Sequence, residues 1–303
     1  MRQLILHIGL FKTATTWLQE DVFPKVEGYH YVQKALYRHS LLKTLLLTDY
    51  LVFKGLVESV REGFLKLMDG HENIILSHEI FSGNPYFQSV NRTVLLNKLR
   101  LLFPEAKILF AFRGQKPMVD SLYREYVVQG GVKSFEDFVF NPRREPRSIL
   151  GFDPHLDLEI FKYGAYIDYI HELFGKENAF VFPYERLKKD PLSFLQDLSS
   201  FLGANLDPKH FTPEVRREGL GDLQIQVLRR LNQFFKSALH QRGLIPYKPK
   251  FNNFFRITNR FHSDRTLFSA RHEFPIDYTM DNDALDEKYH YGLRKDFAWA
   301  YYI

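Results

Sequence analysis

The chain has 303 residues, no cysteine and a formal net charge of +5 at pH 7. Without cysteine there are no disulfides, no thiol catalysis and no cysteine-based zinc site. No apolar stretch reaches the roughly 18 residues of a membrane span. An apolar run that starts at Leu4 leaves no room for a signal peptide, so we expect a cytoplasmic protein. The basic residues are scattered and form no nucleic-acid-binding motif, which favours an anionic small molecule over nucleic acid as the partner.

Short apolar runs alternate with helix-like segments along most of the chain. The predicted strands are Arg2–Ile8, Asn73–Ser77, Lys107–Phe112 and Ala179–Phe182. The predicted helices are Thr15–Val22, Lys34–Leu47, Phe53–Met68, Gln88–Leu102, Lys116–Val128, Leu156–Phe174, Leu192–Leu202 and Leu223–His240. This alternation predicts an α/β fold in which helices flank a parallel sheet. No linker-like or repetitive tract divides the sequence. We therefore expect one domain over residues 1–303, with a core of about residues 1–203 and a mostly helical part over about residues 204–303.

The first predicted strand runs into a loop that contains one lysine and several hydroxyl groups. Its sequence is Gly9-Leu10-Phe11-Lys12-Thr13-Ala14-Thr15-Thr16-Trp17. A lysine, hydroxyl donors and the unpaired amides at a helix N-terminus suit an anionic, phosphate-like group. The loop differs from the ATP- or GTP-binding P-loop because Phe11 stands where that motif has its second glycine, which makes this loop shorter. The alternative interpretation is a threonine-rich helix start with a solvated lysine.

Arg113 follows the third predicted strand, and Ser121 lies eight residues later inside the next predicted helix. Pro117 fits the first turn of that helix, where a missing N–H matters little. The planar guanidinium of Arg113 suits a phosphate that it binds through two hydrogen bonds, and Ser121 can donate to the same group. An ordinary surface arginine beside a helical serine is the alternative interpretation.

These segments, in this order, resemble the sulfotransferases that use 3′-phosphoadenosine 5′-phosphosulfate (PAPS). Residues 12–16 are similar to that family's 5′-phosphosulfate loop, Lys-Thr/Ser-Gly-Thr-Thr, although Ala14 replaces the glycine. We therefore expect that residue 14 needs no positive φ. Arg113 and Ser121 resemble the family's 3′-phosphate site. The segment Tyr184-Glu185-Arg186-Leu187, followed by Asp190-Pro191, resembles the family's Tyr-Glu-Asp-Leu…Asp-Pro.

The resemblance implies a P-loop-NTPase-like fold, PAPS as cofactor, adenosine 3′,5′-bisphosphate (PAP) as product and no metal. It gives Lys12 the role of stabilising the leaving 5′-phosphate. It also implies that the cofactor is bound by Lys12, Thr13, Ala14, Thr15, Thr16, Arg113 and Ser121. Tyr184 is expected near the adenine, and Trp17 either stacks on the adenine or lies in the core.

The second predicted strand delivers His78 and Glu79 to the same edge of the sheet. Sulfuryl transfer to a hydroxyl needs a base that takes the acceptor proton. In the family, a histidine or glutamate after this strand has that role. Because side chains along a strand alternate between the two sides, only one of the two residues is expected to face the site. We favour Glu79 and leave His78 open, and either residue alternatively caps the following segment.

The acceptor is expected to carry a hydroxyl group, with a carbohydrate favoured and a lipid or small molecule left open. The long helical insertion between the first two predicted strands, Lys34–Met68, indicates a shaped acceptor site. The Ser77-x-Glu79 form resembles bacterial and carbohydrate-type members of the family, and this is the reason for favouring Glu79 as the base. Two alternatives are a P-loop-type small-molecule kinase and a non-catalytic nucleotide-binding scaffold. Near the C-terminus, Arg216–Gly219 is either a loop over the nucleotide or a solvated run of charges. The aromatic segments Phe251–Phe255 and Phe297–Tyr302 are expected to pack in the core, and the alternatives are an acceptor cleft, a lipid surface or a subunit contact.

Overall fold

The computed structural model describes residues 3–32, 41–67, 70–86, 89–140, 155–207, 220–246, 268 and 274–302. Its centre is a parallel sheet flanked by helices, which is the α/β fold that the sequence predicts. The five strands are β1 (Gln3–Gly9), β2 (His30–Val32), β3 (Asn73–Ser77), β4 (Lys107–Phe112) and β5 (Ala179–Pro183). They lie in the order β2-β3-β1-β4-β5, so β1 is the central strand.

The helices lie between and after these strands. The α-helices of the described ranges are α1 (Thr15–Trp17), α2 (Leu41–Leu47), α3 (Tyr50–Leu67), α4 (Arg92–Leu102), α5 (Gln115–Val128), α6 (Phe135–Val139), α7 (Gly164–Phe174), α8 (Tyr184–Lys189), α9 (Pro191–Leu202), α10 (Asp222–Asn232), α11 (Thr279–Tyr289) and α12 (Leu293–Tyr301). A π-helical segment, Leu18–Val22, continues α1. The strands β6 (Phe235–Lys236) and β7 (Ile245–Pro246) form a separate short parallel pair.

The sheet separates two hydrophobic cores. Leu6 and Ile8 of β1 lie in the larger core, whereas Ile5 lies in the smaller one. Strand β4 alternates in the same way, with Phe110 on the first side and Leu109 on the second. This follows from the period of two along a strand. Strands that are apolar on both faces are typical of parallel sheets covered by helices on both sides.

The candidate site residues follow the carboxyl ends of β1, β3, β4 and β5, so they lie along one edge of the sheet. They are Lys12, His78, Glu79, Arg113 and Tyr184. From β1 the sheet extends through β3 to β2 on one side and through β4 to β5 on the other. In an open parallel sheet, such a change of direction leaves a crevice outside the carboxyl ends of the strands, and ligands bind there. The candidate site therefore lies at this edge, around the end of β1.

The predicted helix Leu156–Phe174 is wrong in its first half. The carboxylate of Asp157 accepts a backbone hydrogen bond and caps a 3-10 turn over Leu158–Phe161. The backbone is then extended at Lys162, and α7 begins only at Gly164. A local side-chain cap thus replaces the helix that the apolar pattern predicts.

Two further differences concern the sheet edge and the C-terminal part. The sequence does not predict β2, which has only three residues and pairs with β3 alone. The predicted helix Leu223–His240 ends at Asn232. The side-chain amide of Asn232 donates to the carbonyls of Val127 at 2.7 Å and Gly131 at 2.9 Å. These buried hydrogen bonds hold the helix end against the end of α5, and the chain then turns into β6.

Several predictions fall outside the described residues. The predicted helix Lys34–Leu47 is described only from Leu41 onward, and both Arg216–Gly219 and Phe251–Phe255 lie in undescribed ranges. In the described ranges, no helix is long and apolar enough to cross a membrane. The C-terminal helices α11 and α12 pack on α7 and α5 respectively, and α12 buries Phe297 and Tyr301.

Candidate active site

The loop between β1 and α1 passes very close to the residue that follows β3. Gly9 has a φ of +78°, and a β-carbon there would lie 2.8 Å from the Cα of Glu79. Both the positive φ and the close approach therefore require glycine. Two hydrogen bonds fix the loop: the Leu10 N–H donates to the Ala111 carbonyl at 2.9 Å, and the Thr13 hydroxyl donates to the Leu10 carbonyl at 2.7 Å. The loop is thereby held against Glu79 at Gly9 and against the end of β4 at Leu10.

The loop contains two residues with a left-handed backbone, Lys12 at φ 63° and Ala14 at φ 61°. The expectation that residue 14 needs no positive φ is therefore wrong. Ala14 precedes α1 directly, and its left-handed conformation turns the chain into that helix. For a residue with a β-carbon this conformation is unfavourable by about 1–2 kcal/mol. The anchored loop ends impose the turn although the glycine is missing.

We expect Ala14→Gly to stabilise the protein. Glycine adopts a positive φ without strain. Its greater freedom in the unfolded chain, however, lowers the free energy of unfolding by about 0.5–1 kcal/mol. The net gain in the free energy of unfolding is therefore about 0.5–1 kcal/mol, measured by urea unfolding. The control is Ala179→Gly, since Ala179 has an extended backbone with φ −125°. That change should destabilise the protein, and the same sign for both variants would contradict the account.

Lys12 makes an ion pair that the sequence does not predict. Its Nζ lies 3.3 Å from the Glu125 carboxylate on α5, and about one third of each side chain is exposed, 34% and 33%. An ion pair of this exposure contributes little to stability, so an anionic ligand can compete for the lysine. The half-buried side chains of Thr15 and Thr16 make no hydrogen bond to other described residues. The Thr13 hydroxyl instead closes the loop from a fully buried position.

Arg113 lies between the Lys12 loop and Tyr184. Its Nη1 donates to the Lys12 carbonyl at 3.0 Å, and its guanidinium carbon lies 4.9 Å from the centroid of the Tyr184 ring. Its Nε is buried and has no hydrogen-bond partner among the described residues. Leaving such a donor unsatisfied is unfavourable by roughly 1–3 kcal/mol. Arg113 and Tyr184, which the resemblance assigns to the 3′-phosphate and to the neighbourhood of the adenine, therefore lie side by side.

Ser121 lies on α5, seven positions into a helix that begins at Gln115. It is half-buried and stands four residues before Glu125, so the two side chains share one face of the helix. That face is the one that contacts Lys12 through Glu125. In the described structure no hydrogen bond joins Ser121 to Arg113. The 3′-phosphate role of Ser121 thus stays a prediction.

His78 and Glu79 do not point to opposite sides as expected. The His78 Nδ1 lies 3.8 Å from the Glu79 carboxylate, because the strand ends at Ser77 and Glu79 already belongs to a 3-10 turn over Glu79–Ser82. The same Nδ1 accepts a hydrogen bond from the Ile80 N–H at 3.2 Å. His78 therefore acts as the cap of this turn, whereas the Glu79 side chain reaches the surface of the Lys12 loop.

A polar network beneath Glu79 was not predicted from the sequence. The Gln19 side-chain amide donates to the Ser77 hydroxyl at 2.9 Å and to the Glu79 carboxylate at 3.4 Å. The Ser77 hydroxyl also lies 2.6 Å from the His7 Nδ1. Burial lowers the pKa of His7 to about 4, so this imidazole is neutral near pH 7. The sequence does contain one indication of this network, since the polar residues His7 and Ser77 stand in otherwise apolar strands.

Trp17 lies in the smaller core, with 8% of its surface exposed. Of the two expectations for Trp17, stacking on an adenine or packing in the core, this position agrees with the second. Its indole Nε1 is buried and has no partner among the described residues. Stacking of Trp17 on an adenine therefore stays a prediction.

The fold and the site together define a class of protein: an α/β protein with a lysine-containing loop and an arginine at the carboxyl ends of neighbouring central strands. The sulfotransferase-domain family matches residues 3–256 of this chain. The chain therefore belongs to the sulfotransferase family and is an enzyme of that family. This membership does not favour the kinase alternative or the scaffold alternative. No curated protein matches the sequence.

Several solved structures of sulfotransferases are similar to this chain. A sulfotransferase from Alicyclobacillus acidocaldarius is 18% identical, with 75% of this chain and 90% of that chain covered, at a TM-score of 0.50. The sulfotransferase domain of the Synechococcus PCC 7002 olefin synthase is 13% identical, with 96% and 95% covered, at a TM-score of 0.47. A mouse sulfotransferase in complex with PAP is 15% identical, with 96% and 85% covered, at a TM-score of 0.37.

Proposed function

We propose that this enzyme transfers a sulfuryl group from PAPS to a hydroxyl group of an acceptor. The observation that carries the proposal is the environment of Arg113. Its Nε is a buried donor without a partner in the described structure, its guanidinium lies over Tyr184, and its Nη1 reaches the Lys12 loop. An adenine nucleotide with phosphate groups at both ends needs three things from its site. These are a hydrogen-bond donor to one phosphate, an aromatic ring beside the base and a cationic loop at the other phosphate.

The residues present fit PAPS as the sulfuryl donor. PAPS supplies an activated sulfuryl group whose departure leaves negative charge on the 5′-phosphate. Lys12, together with the hydroxyls of Thr15 and Thr16, offers donors for that developing charge at the start of α1. In the described ranges no group of three or more histidines and carboxylates could hold a metal ion. Independence of metal is part of the proposal, since Lys12 and Arg113 provide the positive charge.

Glu79 is the proposed base for the acceptor hydroxyl. Its carboxylate contacts the Gln19 amide, and its Cα packs against Gly9 of the Lys12 loop. The base and the lysine are therefore fixed on adjoining segments, as proton removal and leaving-group stabilisation in one step require. His78 is less suited because its Nδ1 already accepts the Ile80 N–H.

The finer properties of the enzyme are also part of the proposal. We favour a carbohydrate hydroxyl as the acceptor, with a lipid or small-molecule hydroxyl as the alternative. A bacterial-type enzyme, a cytoplasmic location and a single domain over residues 1–303 follow from the sequence analysis alone. A panel of carbohydrate, lipid and phenolic hydroxyl compounds, each tested with radiolabelled PAPS, is the experiment that decides among the acceptors.

The Arg113→Ala variant tests the cofactor assignment. Loss of a charge-assisted contact of about 1.5–3 kcal/mol should raise the Kd for PAP roughly 10- to 100-fold. AMP lacks the 3′-phosphate, so its Kd should change less than about threefold. Calorimetric titration of both nucleotides measures the difference.

Arg100→Ala is the matched control for this variant. Arg100, near the end of α4, lies over the ring of Phe174 at the end of α7 and should affect neither nucleotide. An Arg113→Ala protein that binds PAP as tightly as the wild type would remove Arg113 from the site. Equal weakening of PAP and AMP would likewise contradict a 3′-phosphate role.

A further inference from the structure

The Arg113 turn consists of Arg113, Gly114 and Gln115, and it runs from the end of β4 to the first residue of α5. Each of its three residues makes a hydrogen bond to a distant segment of the chain. The Tyr163 hydroxyl donates to the Arg113 carbonyl at 2.7 Å. The Gly114 N–H donates to the Glu185 carboxylate at 3.2 Å. The Gln115 side-chain amide donates to Asn282 on α11 at 2.8 Å. A three-residue turn with this many non-local partners has little freedom, and two of the partner groups lead to the C-terminal helices.

The carboxylate of Glu185 connects this turn to α12. Glu185 is 2% exposed, and burial raises its pKa. One oxygen accepts the Gly114 N–H, and the other accepts the Tyr301 hydroxyl at 2.8 Å. The Tyr301 carbonyl in turn accepts the Asn282 amide at 2.8 Å. The end of α12 is therefore tied to the turn by two separate chains of hydrogen bonds.

Direct packing supports the same connection. A β-carbon at Gly114 would lie 2.5 Å from the Ala300 carbonyl oxygen, so only glycine allows α12 to lie against the turn. The Tyr301 ring also packs edge-on against Phe112, the last residue of β4, with centroids 6.0 Å apart. The helix thus touches the strand that ends just before Arg113 as well as the turn itself.

We propose that Tyr301 is a positioning residue of the nucleotide site, and that through Glu185 it fixes the turn from which Arg113 reaches the 3′-phosphate of the nucleotide. This gives the C-terminal helix a role in cofactor selection and rests on the proposed function. Loss of the Tyr301 hydroxyl leaves a buried carboxylate oxygen without its donor, and the turn shifts to satisfy it. The shift moves the guanidinium relative to the Lys12 loop, so recognition of the 3′-phosphate is weakened while the 5′ end is still bound.

The test is calorimetric titration of Tyr301→Phe with PAP and with AMP. Phenylalanine keeps the ring on Phe112 and removes only the hydroxyl. The Kd for PAP should rise roughly 5- to 20-fold, whereas the Kd for AMP should change less than about twofold. The matched control is Tyr302→Phe, because the neighbouring Tyr302 hydroxyl contacts Asp283 away from the turn. That variant should bind both nucleotides like the wild type.

The Glu185→Gln variant separates positioning from loss of fold. Glutamine can accept the Gly114 N–H with its oxygen and donate to the Tyr301 hydroxyl with its amide, so the PAP affinity should stay within about threefold of the wild type. A second measurement is amide hydrogen exchange at Gly114, which should speed up in Tyr301→Phe and stay slow in Tyr302→Phe.

The outcomes separate this inference from the proposed function. Wild-type protein that binds no PAP would overturn both. Wild-type binding together with a Tyr301→Phe variant that behaves like Tyr302→Phe would overturn the inference alone. Equal loss of PAP and AMP affinity, with exchange raised throughout the chain, would show a merely structural role for Tyr301 and would also overturn it.

Discussion

The Lys12→Ala variant is expected to lose about 100- to 1,000-fold in kcat, while its Kd for PAP rises less than about tenfold. The lysine charge matters most where negative charge develops on the leaving 5′-phosphate, so its loss affects the transition state more than the bound nucleotide. Its ion pair with Glu125 is one-third exposed, so the fold should tolerate the change. The measurement is transfer of label from PAPS to the best acceptor of the panel, beside PAP titration.

Lys66→Ala on α3 is the control, since Lys66 is an exposed lysine outside the site. It should retain wild-type turnover and affinity. Unchanged turnover in Lys12→Ala would contradict the role given to this lysine. A loss confined to PAP binding would reduce Lys12 to a binding residue.

The Glu79→Gln variant is expected to lower kcat about 100- to 10,000-fold, because the amide cannot take the acceptor proton. Its Kd for PAP should stay within about threefold, since the amide still fits beside Gln19 and keeps the loop contact. The pH dependence of kcat should lose its acid limb in this variant. Single-turnover transfer measured between pH 5 and 9 provides both quantities.

His78→Asn is the comparison for this variant. An asparagine still accepts the Ile80 N–H through its side-chain oxygen, so the turn after β3 is preserved. We expect its kcat to fall less than about tenfold. A larger fall than in Glu79→Gln, together with retained PAP binding, would exchange the two assignments and make His78 the base.

The parts of the site that lie at strand ends could be predicted from the sequence. Strands β3 and β4 have the predicted bounds, Asn73–Ser77 and Lys107–Phe112, because each is an apolar run that ends in polar residues. Parallel strands deliver their carboxyl ends to one edge, so Arg113 and Tyr184 were expected at the same edge of the sheet. They are neighbours because β4 pairs with β5, with Phe112 opposite Pro183. Their distance of 4.9 Å agrees with that expectation.

Contacts between distant segments could not be predicted in this way. Lys12 and Glu125 are 113 residues apart, and Glu185 and Tyr301 are 116 apart. No local pattern indicates such pairs, because they depend on how helices pack on the sheet. The same limit explains Ala14, whose left-handed backbone is imposed by the anchored loop rather than by its own preference.

Calorimetric titration of the wild-type chain with PAP, beside ADP and ATP with magnesium, tests the central claim most directly. If Arg113 and Lys12 bind the two ends of a 3′-phosphorylated adenine nucleotide, PAP binds tightly without metal and at least about tenfold more tightly than either competitor. Preference for magnesium-ATP, or no binding of PAP, would contradict the assignment of this site to PAPS.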